Sequence, residues 1–144
     1  GDNTAELHEM FESLCTEYPA PGILKVKGRE VPLPFTSGGM AWCHFDDLCR
    51  KPLGADDYAT LAAEYHTLFL TGIPELTRED RNEARRFVTL IDTLYEHKTR
   101  LFAAADAAPE TLYPTGDGSF EFHRTVSRLK EMGSGEYLRA SHIP

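Results

Sequence analysis

His66-Thr-Leu-Phe-Leu-Thr-Gly72 and Arg100-Leu-Phe-Ala-Ala-Ala105, with Glu83-Ala-Arg-Arg-Phe-Val-Thr-Leu-Ile-Asp-Thr-Leu-Tyr95 between them, decide how this chain folds. The two flanking runs are short and apolar without polar alternation, the pattern of strands covered on both faces. Between them Phe87, Leu90, Ile91, Leu94 and Tyr95 recur at three- and four-residue steps, which is one face of a helix. Thr77-Arg-Glu-Asp80 supplies its start, with a hydroxyl to cap the bare N–H groups and a carboxylate three positions on. Strand, helix, strand in that order predicts a right-handed crossover between parallel neighbours.

Reading toward the N-terminus, Ala55-Asp-Asp57 opens another helix, with Tyr58, Leu61, Ala62 and Tyr65 inward and an Asp as cap. Met40-Ala-Trp-Cys-His-Phe45 is a strand candidate ahead of it. Ile23–Lys27 and Arg29–Pro34 predict a β-hairpin turning at Lys27-Gly28, where glycine tolerates positive φ. Pro32 and Pro34 cannot donate to a ladder, so this strand is expected at an edge. Residues 5–17 predict an acidic amphipathic helix carrying Leu7, Met10, Phe11 and Leu14, ended by Pro19, Pro21 and Gly22. Beyond the core, Pro109–Tyr113 leads into a last helix over Phe120–Met132. The expected fold is α/β: an N-terminal antiparallel hairpin joined to a mainly parallel strand-helix-strand core, closed by a C-terminal helix. Residues 1–22 form a helix and linker, and 23–144 the α/β domain.

Composition narrows function. A formal charge of −8 over 144 residues argues against a nucleic-acid-binding surface of the usual basic kind. No apolar run approaches the roughly 20 residues that cross a bilayer, so no transmembrane segment is expected. The opening Gly-Asp-Asn-Thr carries no leader pattern. Cys15, Cys43 and Cys49 form no Cys-x-x-Cys pair, which suits a reduced, intracellular protein. Cys43, His44 and Cys49 lack zinc-ligand spacing.

No phosphate-binding Gly-x-x-x-x-Gly-Lys-Ser/Thr loop, nucleophile elbow or dinucleotide fingerprint occurs. His44, Asp46 and Asp47 cluster at a strand end, where they read as a helix cap or as a base or metal site, and Cys43 with His44 and Asp46 as a weaker hydrolase candidate. His66 and His97 stand among apolar residues and read as structural. Four arginines remain. Arg124 and Arg128 stack one turn apart on the last helix, where two planar forks suit a phosphate. A solvated face laced by pairs with Glu121 and Glu131 explains the same letters. Arg85 and Arg86 diverge by about 100°, so one borders the apolar stripe and needs an acceptor, in Asp92 or a neighbouring element. Either a packing bridge or a basic contribution to a site follows.

From about Leu24 to Arg139 the chain resembles the C-terminal region of the ZapE-type ATPases, bacterial relatives of the mitochondrial ATPase-family-gene-one proteins. Four blocks carry the resemblance in order: Phe45–Tyr58, Phe69–Pro74, Glu83–Tyr95 and Phe120–Met132, with Glu136-Tyr-Leu138 behind. The resemblance implies an AAA-like P-loop core upstream that binds ATP and Mg, so this stretch alone is not expected to hydrolyse ATP. It implies a lid, nucleotide-sensing or oligomer-contact domain, with Arg124, Arg128, Arg85 and Arg86 as candidate phosphate or interface arginines. A homo-oligomer, the bacterial cytoplasm, cell division and the tubulin-like division protein FtsZ as partner follow from the same resemblance. The alternative is a standalone protein-binding module without ATPase activity, gripping its partner by the hairpin face or the acidic first helix.

Overall fold

Strands β4 (Thr67–Ile73) and β5 (Arg100–Ala105) run parallel, with Thr67 opposite Arg100 and Leu70 opposite Ala103. Strand β3 (Met40–His44) lies parallel to β4 on its other side. The computed structural model describes residues 3–114 and 118–144. Strands β1 (Ala20–Val26) and β2 (Arg29–Ser37) complete a five-stranded sheet in the order β1-β2-β3-β4-β5, the first two pairings antiparallel. The expected α/β class, with an antiparallel hairpin joined to parallel strands and helices at the C-terminal end, is the observed one. Lys27 and Gly28 turn the hairpin at φ of 47° and 78°, the mirror-image turn that matches strand twist.

Helices fill the connections. Between β3 and β4 come α2 (Phe45–Cys49) and α3 (Ala55–Glu64); between β4 and β5 comes α4 (Arg81–Glu96), entered through a 3-10 turn at Arg78–Asp80. The Thr77 hydroxyl accepts from the Glu79 N–H at 3.3 Å, and Asp80 accepts from the Thr77 N–H at 2.8 Å. The N-cap of α3 is Gly54 rather than an Asp, and Asp57, at the third helical position, accepts the Gly54 N–H at 2.8 Å. The chain closes with α5 (Phe122–Met132) and the short α6 (Gly135–Arg139). Tyr137 on α6 donates its hydroxyl to the Leu94 and Thr99 carbonyls, at 3.2 and 2.7 Å, and so ties the chain's end to α4.

The unbroken apolar run of β4 has a direct cause. Successive side chains point to opposite faces, and both faces are covered. Leu68 and Leu70 join the larger core with Tyr58, Phe87, Ile91 and Leu94 from α3 and α4. Phe69 points the other way, into a second cluster with Met40, Ala104, and Leu7 and Phe11 of helix α1 (Thr4–Leu14). Only Leu7 and Phe11 of α1 are buried; Met10 and Leu14, expected on the same side, stay on the surface. The helix also stops at Leu14, short of the expected residue 17.

Two further expectations are corrected. Pro32 and Pro34 pointed to an edge strand, yet β2 lies between β1 and β3. Its pairing with β3 covers only Phe35–Ser37, so both prolines face an unpaired stretch on that side and no ladder donor is lost. The last helix begins at Phe122, two residues later than expected, and α6 was not anticipated, since five residues carry little periodicity.

Thr125 of α5 is fully buried, and its hydroxyl finds no hydrogen-bond partner among the described residues. A buried hydroxyl without a partner costs free energy that a methyl does not. Thr125→Val is therefore expected to leave stability unchanged or raise it by up to about 1 kcal/mol, measured by urea denaturation.

Candidate functional site

Helices α4 and α5 pack side by side, with Phe87 stacked on Phe122 at 6.2 Å between ring centroids. Asp92, the only charged residue between Phe87 and Tyr95, sits where α4 faces the arginine side of α5. Its two carboxylate oxygens divide the pair: Oδ2 accepts from Arg124 at 3.1 Å, and Oδ1 from Arg128 at 2.5 Å. The four-residue spacing thus brings Arg124 and Arg128 to one anion, as the sequence suggested, but that anion is the protein's own. Glu121 and Glu131, the expected partners, do not bind them; Glu131 accepts the Tyr95 hydroxyl at 2.5 Å. That bond to a carboxylate holds the Tyr95 phenol above its usual range.

Arg128 also lies over the Tyr95 ring at 4.8 Å, with Lys98 over the same ring at 4.9 Å. Its guanidinium, half-buried between carboxylate and ring, is a fixed part of the helix interface. Arg124 differs: its side chain is 66% exposed, so its share of Asp92 is weaker and exchangeable. Asp92→Ala should leave two neighbouring guanidiniums without their counter-ion. We expect a stability loss of about 1–2 kcal/mol, because the carboxylate is only partly buried and solvent screens it. Denaturation at low and high salt should show the loss shrinking as ionic strength rises.

Arg86 and Arg85 part company, as their helical angle requires. Arg86 is the half-buried one and donates to the Cys49 carbonyl at 3.1 Å, the last residue of α2. Its acceptor is a backbone carbonyl rather than Asp92 or another carboxylate. Arg85 is exposed, and among the described residues its side chain has no hydrogen-bond or ion-pair partner. It lines an open groove of about 290 Å³ with Ala84, Val88, Tyr113 and Phe122, and with Glu121 on the rim. Of the four arginines, it is the one whose donors meet no acceptor among the described residues.

At the strand end, His44, Asp46 and Asp47 form a cap. The Asp46 N–H donates to His44 Nδ1 at 3.0 Å, and the His44 N–H to Asp47 at 2.8 Å. Arg50 clamps Asp46 and Glu83 at 2.9 and 3.3 Å and covers the Phe45 ring. Cys43 is fully buried, and burial pushes its thiol far up, so it is no accessible nucleophile. Burial likewise raises the Cys49 thiol to about 12. His66 contacts the Thr67 hydroxyl and the Gly38 carbonyl, and His97 the Ile143 carbonyl at 2.7 Å.

The sequence reading missed Asp92 as the clamp. The available signal was a lone carboxylate in an otherwise uncharged stretch of helix, opposite two arginines one turn apart.

The family model for the AFG1-like ATPases matches residues 1–141 of the chain. Lactation elevated protein 1 homolog B of Danio rerio is 33% identical over 166 residues, which cover 91% of this chain and 33% of that protein. An uncharacterized protein of Schizosaccharomyces pombe is 37% identical over 145 residues, covering 81% and 32% respectively. The cell division protein ZapE of Escherichia coli is 38% identical over 99 residues, covering 69% and 26%. The chain thus spans a third or less of the length of these relatives. No solved structure matches it, and none of its described helices is long and apolar enough to cross a membrane.

Proposed function

This chain belongs to the AFG1-like ATPase family, and from that membership we propose that it is an accessory domain of an ATP-hydrolysing protein. ATP and its magnesium ion are held by a P-loop core elsewhere in the protein, consistent with the greater length of the relatives. This domain contributes the α4–α5 face, as a lid or as a contact between subunits of an oligomer. The observation that carries the proposal is Arg85, an exposed guanidinium on α4 beside an open groove, without a hydrogen-bond or ion-pair partner among the described residues. A planar fork held ready to donate suits the charge that gathers on a transferred phosphoryl group, where it costs no reorganisation at the moment of reaction. Arg124 is the second contributor, able to leave Asp92 for a phosphate because its own side chain is exposed. Arg86 and Arg128 hold the domain together.

In the full-length protein, Arg85→Ala should lower steady-state ATP turnover at least about tenfold, equivalent to roughly 1.4 kcal/mol. Its thermal stability should not change, since the side chain is exposed and has no partner to lose among the described residues. Unchanged turnover would remove Arg85 from the mechanism.

The setting we propose is bacterial cell division in the cytoplasm, with FtsZ as a partner, supported by the similarity to the Escherichia coli cell division protein. A second reading, a protein-binding module, is favoured by one surface. Beside α1, a groove of about 280 Å³ is lined by Phe11, Trp42 and Phe35, and Tyr18 on its edge is 94% exposed. If Tyr18→Ala abolishes partner binding while Arg124→Ala spares ATP turnover, the second reading gains and the sensor role of α5 fails.

A further inference from the structure

At the end of the molecule away from Arg85, a groove of about 390 Å³ is lined by His66, Lys98, Arg100, Arg139, Ser141 and His142. It contains one lysine, two arginines and two imidazoles, and among the described residues no carboxylate lines it. That composition runs against the chain as a whole, where 23 acidic residues outnumber 15 Lys and Arg. Elsewhere Lys27, Arg29, Arg50, Arg124, Arg128 and Lys130 each form an ion pair with a carboxylate. Among the described residues, Lys98, Arg100 and Arg139 form none. Like charges gathered in one groove repel one another, and an anion placed among them relieves that repulsion.

The side chains are also held in place. Arg100 donates Nε to the Leu138 carbonyl at 3.0 Å, which fixes the guanidinium and leaves its terminal nitrogens available. Lys98 stands at a positive φ of 56°, just past α4, with its ammonium over the rings of Tyr95 and Tyr137 at 4.9 and 5.5 Å. His142 Nε2 meets the Ala62 carbonyl at 2.6 Å; a carbonyl only accepts, so Nε2 carries the proton. Arg139 rests its guanidinium against Gly135, where an added Cβ would come within 2.9 Å of it. Planar forks and an ammonium lining one groove from β5, α6 and the α4–β5 turn suit a tetrahedral polyanion, which accepts hydrogen bonds from many directions.

We propose that this groove is a binding site for a phosphate-bearing small molecule, a diphosphate or larger, distinct from the Arg85 face. Arg85 lies about 17 Å along α4 from its last residue, Glu96, at 1.5 Å per residue, and Lys98 stands beyond that end. The two proposals therefore stand or fall separately.

The test is calorimetric titration of the 144-residue chain at low ionic strength with inorganic pyrophosphate, and in parallel with ATP and adenosine. Pyrophosphate should bind, and Arg139→Ala and Lys98→Met should each weaken it at least tenfold. Lys25→Ala, an equal change of charge on an exposed strand position, should not. ATP and pyrophosphate binding alike would mean that the phosphates alone are recognised. Tighter ATP with weak adenosine would mean a nucleotide recognised through its phosphates; both results support the site. Absence of pyrophosphate and ATP binding, or binding that Arg139→Ala and Lys98→Met leave intact, would overturn it. Arg139 is exposed and forms no ion pair among the described residues, so its variant should fold and give a clear answer.

Discussion

Gly72→Ala should destabilise the domain by about 3 kcal/mol or more, among the largest effects of any single methyl added to this chain. Gly72 sits in β4 at a φ of 71°, which a side chain adopts only under strain. The added Cβ would also fall 2.0 Å from His44 Nε2. The imidazole cannot simply swing away, because its Nδ1 accepts the Asp46 N–H at the start of α2. Moving the ring uncaps that helix, for a further cost of about 1 kcal/mol. Gly28 is the control: its φ is 78°, but nothing lies near its missing Cβ. Gly28→Ala should cost only about 1 kcal/mol of backbone strain. Paired urea titrations of the two variants measure the difference, and equal losses would mean that the His44 contact contributes nothing.

Phe69→Ala should cost about 3–5 kcal/mol, the range for removing a large buried ring. Phe69 is fully buried and is the centre of the second core, against Phe11 at 5.2 Å, Phe102 at 5.1 Å and Trp42 at 5.9 Å. Its loss removes the surface on which α1 lies, so α1 should loosen before the rest of the sheet. Trp42 is the chain's one tryptophan and stacks on Phe69 at an interplanar angle of 16°. Its fluorescence should therefore report release of α1 at lower denaturant than the far-ultraviolet signal of the whole fold. Coincident transitions would mean that α1 and the sheet unfold as one unit.

The alternating half of the chain was readable because its signals agree. In β4, α4 and β5, the length of each run, its periodicity and its cap all point the same way, and the structure follows them. The hairpin was readable from Lys27-Gly28 for a similar local reason. Its place in the sheet was not, because strand order depends on which stretches of β2 meet β3. Proline reports only that a donor is missing, not which side lacks a neighbour. The candidate site divides along the same line. Spacing put Arg124 and Arg128 on one side and split Arg85 from Arg86, since those are properties of a single helix. What each arginine meets is set by the packing of α5 on α4. No local pattern announces that Asp92 takes two of them and the Cys49 carbonyl a third.

The central claim is that this domain acts on the nucleotide through the α4–α5 face. Single-turnover ATP hydrolysis by the full-length protein, wild type against Arg85→Ala, tests it most directly because it separates binding from chemistry. The account predicts a hydrolysis step slowed at least about tenfold with nucleotide affinity little changed, as for a group that donates chiefly to the transition state. An unchanged hydrolysis rate would contradict it.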